Sequence, residues 1–436
     1  MSTQSSIKNE AFVRHFKSYP AYKSSVMEWL GEVPEHWDVK RVRTILRDKD
    51  GIKIGPFGSS LKSEFIRDSG YKIYGQEHVI SGDFQIGEKY VDKNKFDELN
   101  ACEIIPGDLV ISMMGTTGKC QVVPDNIEQG IMDSHLLRIR PKSTVHPQLL
   151  ASLINESDYI RFQVSTNSKG SIMEGLNSSI IKNLILLLPS FNEQRAIAAF
   201  LDWETARIDQ LIAKKEHQIK LLQEKRSALI SRAITKGLNP KAKMKDSEIE
   251  WLGEIPEYWR LLRFKYVLLL SRGVDLSAEQ FVDGPYPVCA SNGIIGYHDQ
   301  YIAKGPSIIV GRSGSVGEVN YVESNFWPHN TALYVMKFAQ ALPRYSYYLL
   351  TVLDLKSLSS GSAVGTLNRN YIHDLPIAVP PIEEQEDIVA FLDRETVLND
   401  HMVKKIAASI DLLREYRITL ISAAVTGKID VREEAA

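Results

Sequence analysis

The spacing of apolar positions fixes the two longest elements of the chain before any other feature is considered. From Val403 onward the seam runs Ile406, Ile410, Leu413, Arg417, Leu420 and Ala424, in alternating steps of three and four. That alternation is the heptad pattern of a helix with one apolar seam. In the same frame, 191 positions earlier, stand Ile212, Lys215, Ile219, Leu222, Arg226, Leu229 and Ala233. Ser190 with Glu193 predicts a capping box, Pro381 suits the first turn of the second copy, and Gly237 and Gly427 are stop signals. The pattern predicts two helices of roughly 45 residues, about 65–70 Å each at 1.5 Å per residue. A single amphipathic helix of that length needs a partner for its seam, and the other copy is the cheapest one.

Elsewhere the pattern is one of short β-like runs punctuated by glycine and by Asn, Asp and Ser. Tyr71-Lys72-Ile73-Tyr74, Asp108-Leu109-Val110-Ile111-Ser112 and His135-Leu136-Leu137-Arg138-Ile139 precede the first long helix. Tyr286-Pro287-Val288, Ser307-Ile308-Ile309-Val310 and Leu333-Tyr334-Val335-Met336 precede the second. Such segments predict mixed α/β domains whose function is carried on loops.

The chain is a duplication. Pro-Ser-Phe-Asn-Glu-Gln-Arg at Pro189 returns as Pro-Pro-Ile-Glu-Glu-Gln-Glu at Pro380, with Glu193/Glu384, Gln194/Gln385, Asp202/Asp393 and Thr235/Thr426 among the identical pairs. A gapless match of this length points to a rigid element, because loops tolerate length change. Glu28-Trp29-Leu30-Gly31-Glu32-Val33-Pro34-Glu35-His36-Trp37 returns as Glu250-Trp251-Leu252-Gly253-Glu254-Ile255-Pro256-Glu257-Tyr258-Trp259, 222 positions on. This reads as a packing clasp at the start of each domain; a direct functional role is the alternative. Gly115-Thr116-Thr117-Gly118 matches Gly314-Ser315-Val316-Gly317 at 199 positions, and Gly170 with Leu176-Asn177 matches Gly361 with Leu367-Asn368 at 191. The second domain has therefore lost 31 residues, most of them before the Gly-x-x-Gly turn. The expected layout is an extension at 1–25, a first domain at 26–188, a first helix at 189–237 and a solvated lysine-rich linker at 238–248. A second domain at 249–379, a second helix at 380–428 and a tail at 429–436 complete it.

Composition narrows the chemistry. With 52 basic and 54 acidic residues, the formal charge is −2, so any basic surface must be local. Lys40, Arg41, Arg43, Arg47 and Lys49 follow the first clasp; Arg260, Arg263, Lys265 and Arg272 follow the second. These runs either track phosphates or form solvated faces. Cys102, Cys120 and Cys289 are far apart, which disfavours disulfides and zinc and fits a reducing cytoplasm. No apolar run is long enough to span a bilayer, and the start of the sequence lacks a signal-like apolar stretch.

Tests for catalysis come back empty. Gly115-Thr116-Thr117-Gly118-Lys119 lacks the glycine at 113 and the hydroxyl at 120 of a Walker A loop, those positions being Met113 and Cys120. It is either a tight turn between strands or a backbone turn approaching phosphates. The ten histidines form no metal-binding signature, and no hydrolase, methyltransferase or nucleotide-binding motif is visible. The reading is of a chain without a catalytic site, cofactor site or metal site of its own.

Together, the paired clasps, the Gly-x-x-Gly turns, the Leu-Asn stretches and the Glu-Gln helix starts resemble a Type I restriction–modification specificity subunit across residues 26–430. The resemblance implies an α+β protein: two mixed α/β target recognition domains separated by an antiparallel pair of long coiled-coil helices, a pseudo-twofold internal repeat. It implies that each domain reads one half of a split, asymmetric target in double-stranded DNA, with the helices setting the spacer. It also implies two methyltransferase subunits bringing S-adenosylmethionine, and restriction/translocase subunits using ATP and magnesium. Near-neutral charge suggests that these partners supply much of the phosphate grip. Base readout needs polar side chains on loops. The candidates are Ser59, Ser60, Lys62, Gln76, His78, Thr116, Thr117, Lys119 and Lys169 in the first domain. In the second they are Ser291, Asn292, Arg312, Ser313, Ser315, Ser362 and Asn368. A fused restriction–modification enzyme is the first rival and lacks the motifs it would need. A coiled-coil scaffold without DNA readout is the second, and leaves the divergence of the loops unexplained.

Overall fold

The computed structural model describes residues 16–25, 27, 30–114, 118–167, 177–360 and 365–434. It is a mixture of helix and strand, dominated by two long helices, Phe191–Lys236 and Ile382–Val425. The chain divides into two compact units, Met1–Ala213 with Ile410–Ala436 and Lys214–Ser409. Each unit takes the opening part of one long helix and the closing part of the other. The seam positions behave as their spacing requires: all fourteen from Ile212 to Ala233 and from Val403 to Ala424 are buried or partly buried. No helix among the described residues is long and apolar enough to cross a membrane.

In the first unit, Ile52–Ile54, Leu136–Ile139, Leu109–Ser112 and Cys120–Val122 form a four-stranded sheet in that spatial order. The middle strands are buried along their whole length, so apolar residues occupy both faces, and the one charged side chain among them, Arg138, is paired with Asp50. A second sheet places Tyr71–Tyr74 parallel to Gly130–Met132. A ribbon of Asp38–Arg41 with Ile185–Leu188 delivers the chain to the first long helix. Phe200, Leu201 and Ile208 of that helix share one core with Leu420, Ile421 and Ala424 of the second. Fully burying a side chain of this size contributes about 1.5–3 kcal/mol, so the core outweighs the accompanying ion pairs of Arg417 with Glu156 and Asp209.

The second unit repeats the plan. Leu268–Arg272, Ala332–Phe338, Ser307–Gly311 and Val319–Val322 form the matching sheet, and Tyr286–Ala290 runs parallel to Trp327–Pro328. Arg260–Arg263 pairs with Pro376–Val379 ahead of the second long helix. Ile230, Ala233 and Ile234 pack with Ile388 and Leu392.

The clasps prove to be packing devices, and they explain the Glu-Gln signature. Trp37 and Trp259 are buried, and each indole N–H donates to the motif glutamate: Trp37 to Glu193 at 3.0 Å, Trp259 to Glu384 at 2.9 Å. Glu28 and Trp29 lie outside the described residues. The expected capping box is only half formed. Ser190 Oγ accepts the Glu193 N–H at 3.4 Å, but the Glu193 carboxylate is taken by Trp37 and His36. The buried glutamines tie each helix start to its own domain. Gln194 accepts from the His146 N–H and donates to the Thr144 and Pro189 carbonyls. Gln385 accepts from the Leu342 N–H and donates to the Gln340 and Pro380 carbonyls.

The stretch expected as a solvated linker and the extension without a clear pattern both contribute short, mostly exposed strands. Met244–Asp246 of the lysine-rich segment pairs with Glu254–Pro256, and Tyr22–Ser24 pairs with Glu32–Pro34 in the same way. Tyr19 packs against Trp37, Lys17 bridges Asp430, and Val431 is buried. Polar composition concealed these strands because each pairs only along one edge.

Candidate nucleic-acid interface

Strand register makes the two sheets directly comparable. Leu137 sits between Ile54 and Ile111, and Leu333 sits between Arg272 and Val310. Ile54 therefore corresponds to Arg272, and Ile111 to Val310. The loops at this end of the sheets then fall into line. The Met113 N–H donates to the His135 carbonyl at 2.9 Å, and the Arg312 N–H donates to the Thr331 carbonyl at 2.9 Å. The turn closes identically too: Gly118 N–H to Ser112 carbonyl at 2.8 Å, Gly317 N–H to Gly311 carbonyl at 2.9 Å. Gly314 and Gly317 hold φ near +80°, which side chains other than hydrogen adopt at a cost, so glycine is required there.

One geometry carries two chemistries. In the second unit the turn is polar and cationic. Arg272 is exposed and Arg312 half-buried; among the described residues neither has a carboxylate partner in an ion pair. The Arg312 guanidinium donates to the Asn330 carbonyl at 3.4 Å, and the Asn330 amide donates to Asp275. Burial, with the Arg272 guanidinium second, pulls the Arg312 pKa below its ordinary value. Like charges left together without a counter-ion are characteristic of a surface that meets an anion. In the first unit, Met113 takes the place of Arg312, Ile54 of Arg272, Ser134 of Asn330 and Phe57 of Asp275. Phe57 is 86% exposed, the extreme among the large apolar side chains of the described residues. It lines a concave surface of about 740 Å³ with Lys53, Ile54, Ser60, Met114 and His135.

The sequence candidates divide accordingly. Arg312, Ser313 and Ser315 lie on the second turn, partly buried, with Asn292 exposed beside it. Ser59 and Ser60 follow Phe57 in the short helix Gly58–Ser60; Lys62 is exposed next to it, 4.0 Å from Glu64. Gln76 opens the helix Gln76–Ser81, and Lys119 is half-buried just past the first turn. Three candidates take a different role. His78 is 1% exposed, receives the Gly75 N–H on Nδ1 at 2.9 Å and has Nε2 2.9 Å from the Ile86 carbonyl; it braces the interior and does not face outward. Ser291 is buried beneath Gly314, its N–H donating to Thr331 Oγ1. The Asn368 side-chain oxygen caps the helix Arg369–Asp374, as that of Asn177 caps Ser178–Asn183, which accounts for the paired Leu-Asn stretches. Thr116, Thr117, Lys169 and Ser362 lie outside the described residues.

Sequence reasoning placed Arg272 in a basic run but did not bring it to the turn, and missed Phe57, Asp275 and Asn330. Strand register is the signal that finds them. Three of the nine basic residues after the clasps are neutralised locally: Lys40 by Asp38, and Arg263 and Lys265 by Asp374.

Comparisons with known proteins agree with this picture. Residues 57–221 and 269–410 match the family model described as Type I restriction modification DNA specificity domain. The putative type I restriction enzyme MjaX specificity subunit of Methanocaldococcus jannaschii is 23% identical over 92% of this chain and 96% of that protein. The StySPI specificity subunit of Salmonella potsdam is 22% identical over 93% and 92%. Among solved structures, a chain from work on complex assembly and conformational transition of the type I R-M system gives a TM-score of 0.73 at 15% identity, covering 91% of this chain and 99% of that one. The HsdS subunit from Thermoanaerobacter tengcongensis gives 0.57 at 15% identity, covering 91% and 98%.

Proposed function

Because the chain belongs to the Type I restriction modification DNA specificity family, the non-catalytic recognition subunits of such systems, we propose that its two sheet-and-turn domains read the two halves of one bipartite, asymmetric target in double-stranded DNA. In this reading the long helices pair antiparallel, hold the domains apart and so set the length of the unread spacer. They also dock two methyltransferase subunits, which bring S-adenosylmethionine, while restriction/translocase subunits add ATP- and magnesium-dependent steps. Exposed apolar side chains on the helices, Trp203, Leu412 and Ile418 in the first unit and Leu221, Val397 and Leu398 in the second, support the docking role.

One observation carries the reading. The two turns share strand register and closing hydrogen bonds, yet Met113, Ile54 and Phe57 in one stand where Arg312, Arg272 and Asp275 stand in the other. A scaffold retained while its outward chemistry changes is what two readers of different sequences require.

The test is to assemble the chain with its methyltransferase subunits, methylate genomic DNA and map the modified adenines. The expected result is one motif with two unlike halves and a fixed spacer. Methylation scattered without a common motif would overturn the reading.

A further inference from the structure

Resting on that functional reading, we propose that Arg312 is a specificity-determining residue that reads a guanine in the half-target of the second domain, with Arg272 beside it holding the adjacent phosphate.

The roles follow from how each side chain is held. Arg312 emerges from the closing turn with its backbone fixed on both sides: its N–H donates to the Thr331 carbonyl at 2.9 Å, and its carbonyl accepts the Leu367 N–H at 2.8 Å. One guanidinium nitrogen is tethered to the Asn330 carbonyl, and Asp275 holds Asn330 from behind. A guanidinium fixed at one corner keeps the rest of its planar donor fork free. Two parallel N–H donors match O6 and N7 on the major-groove edge of guanine, a pattern that no other base presents. A lysine, a point charge on a flexible stem, cannot reproduce that fork.

Arg272 is different. It ends the edge strand Leu268–Arg272, is exposed, and has no side-chain hydrogen bond or ion pair among the described residues to fix its direction. An untethered exposed cation suits a phosphate, which accepts from many angles, and not a base edge. Repulsion between the two guanidinium groups is relieved by no ion pair among the described residues; the nearby Asp275 carboxylate accepts from Asn330. A bound phosphate would relieve it.

The first domain supplies the contrast. With Met113 and Ile54 at the same positions, it offers no donor fork there, so this means of guanine readout is confined to the second half-target.

The experiment uses the complex of this chain with its methyltransferase subunits and the target found by methylation mapping. Each base pair of the half assigned to the second domain is changed singly, and affinity and methylation rate are measured at several salt concentrations. For the unaltered chain, one G·C position should discriminate by roughly ten- to a hundredfold against the other base pairs. Arg312→Ala and Arg312→Lys should both flatten the discrimination at that position and leave the other positions as they were. Arg272→Ala should weaken binding to all the DNAs alike and lower the salt slope by about one. Equal melting temperatures confirm folding, and the Arg312→Lys variant carries the test if the alanine variant fails to fold. Uniform weakening by both Arg312 variants, or a half-target without a G·C position, would overturn the proposal. Absence of any sequence preference in the unaltered complex would instead overturn the functional reading itself.

Discussion

Removing the motif glutamine should release two defined amide protons. Gln385 is fully buried, and its three hydrogen bonds span 2.9–3.0 Å, joining the Leu342 N–H and the Gln340 and Pro380 carbonyls. Gln385→Ala leaves one buried donor without a partner and takes a donor from each of two carbonyls. At about 1 kcal/mol for each hydrogen bond lost, the second unit should lose about 3 kcal/mol. Gln194→Ala should do the same to the first unit through the His146 N–H and the Thr144 and Pro189 carbonyls. Whole-chain unfolding of a two-unit protein is a poor measure of this, because it is not a single transition. Amide hydrogen exchange is a better one. About 3 kcal/mol corresponds to roughly a hundredfold loss of protection, expected at Leu342 in one variant and at His146 in the other. Glutamate at either site should be no remedy, since a carboxylate would face two carbonyls. If both amides stay protected, or if each variant loosens both units equally, the glutamine is not what anchors the helix start.

Two other perturbations test the packing. Gly427 and Gly237 both hold φ +70°, but an added methyl meets Pro34 Cδ at 2.3 Å in the first case and the Glu384 carboxylate at 2.8 Å in the second. A proline ring cannot swing aside, so Gly427→Ala should destabilise its unit clearly more than Gly237→Ala destabilises the other, by about 2–3 kcal/mol against 1–2 as read by amide exchange; equal losses would refute the clash. His373 accepts the Leu270 N–H at 2.9 Å on Nε2, and burial foremost, then Arg369, lowers its pKa. The unfolded chain then binds a proton that the folded one refuses, so this contribution to stability is present above about pH 6.5 and declines as the pH falls through the lowered value. His373→Gln should flatten part of the acid-side fall in a thermal profile of the second unit, and parallel profiles for the two proteins would refute that role.

The duplication, the long helices and the clasps were legible in the sequence because each depends on spacing along one stretch of chain. Heptad steps, a gapless offset and a repeated tryptophan need no long-range information. The Glu-Gln signature was visible as well, but its meaning was not. That Glu193 serves Trp37 and abandons the capping box is decided by residues 156 positions apart in sequence. Single-edge strands such as Tyr22–Ser24 and Met244–Asp246 escaped notice because half-exposed ribbons need little apolar content. The reading surface was the least legible part. His78 and Ser291 have polar side chains suited to base contact, yet tertiary packing turned both inward. Arg272 and Arg312 lie forty positions apart, and only the pairing of both strands with Ala332–Phe338 brings them to one turn. Local periodicity could determine which segments are rigid. Only the fold could decide which side chains those segments present together, because that depends on strand register, which is a property of pairs of segments and not of either alone.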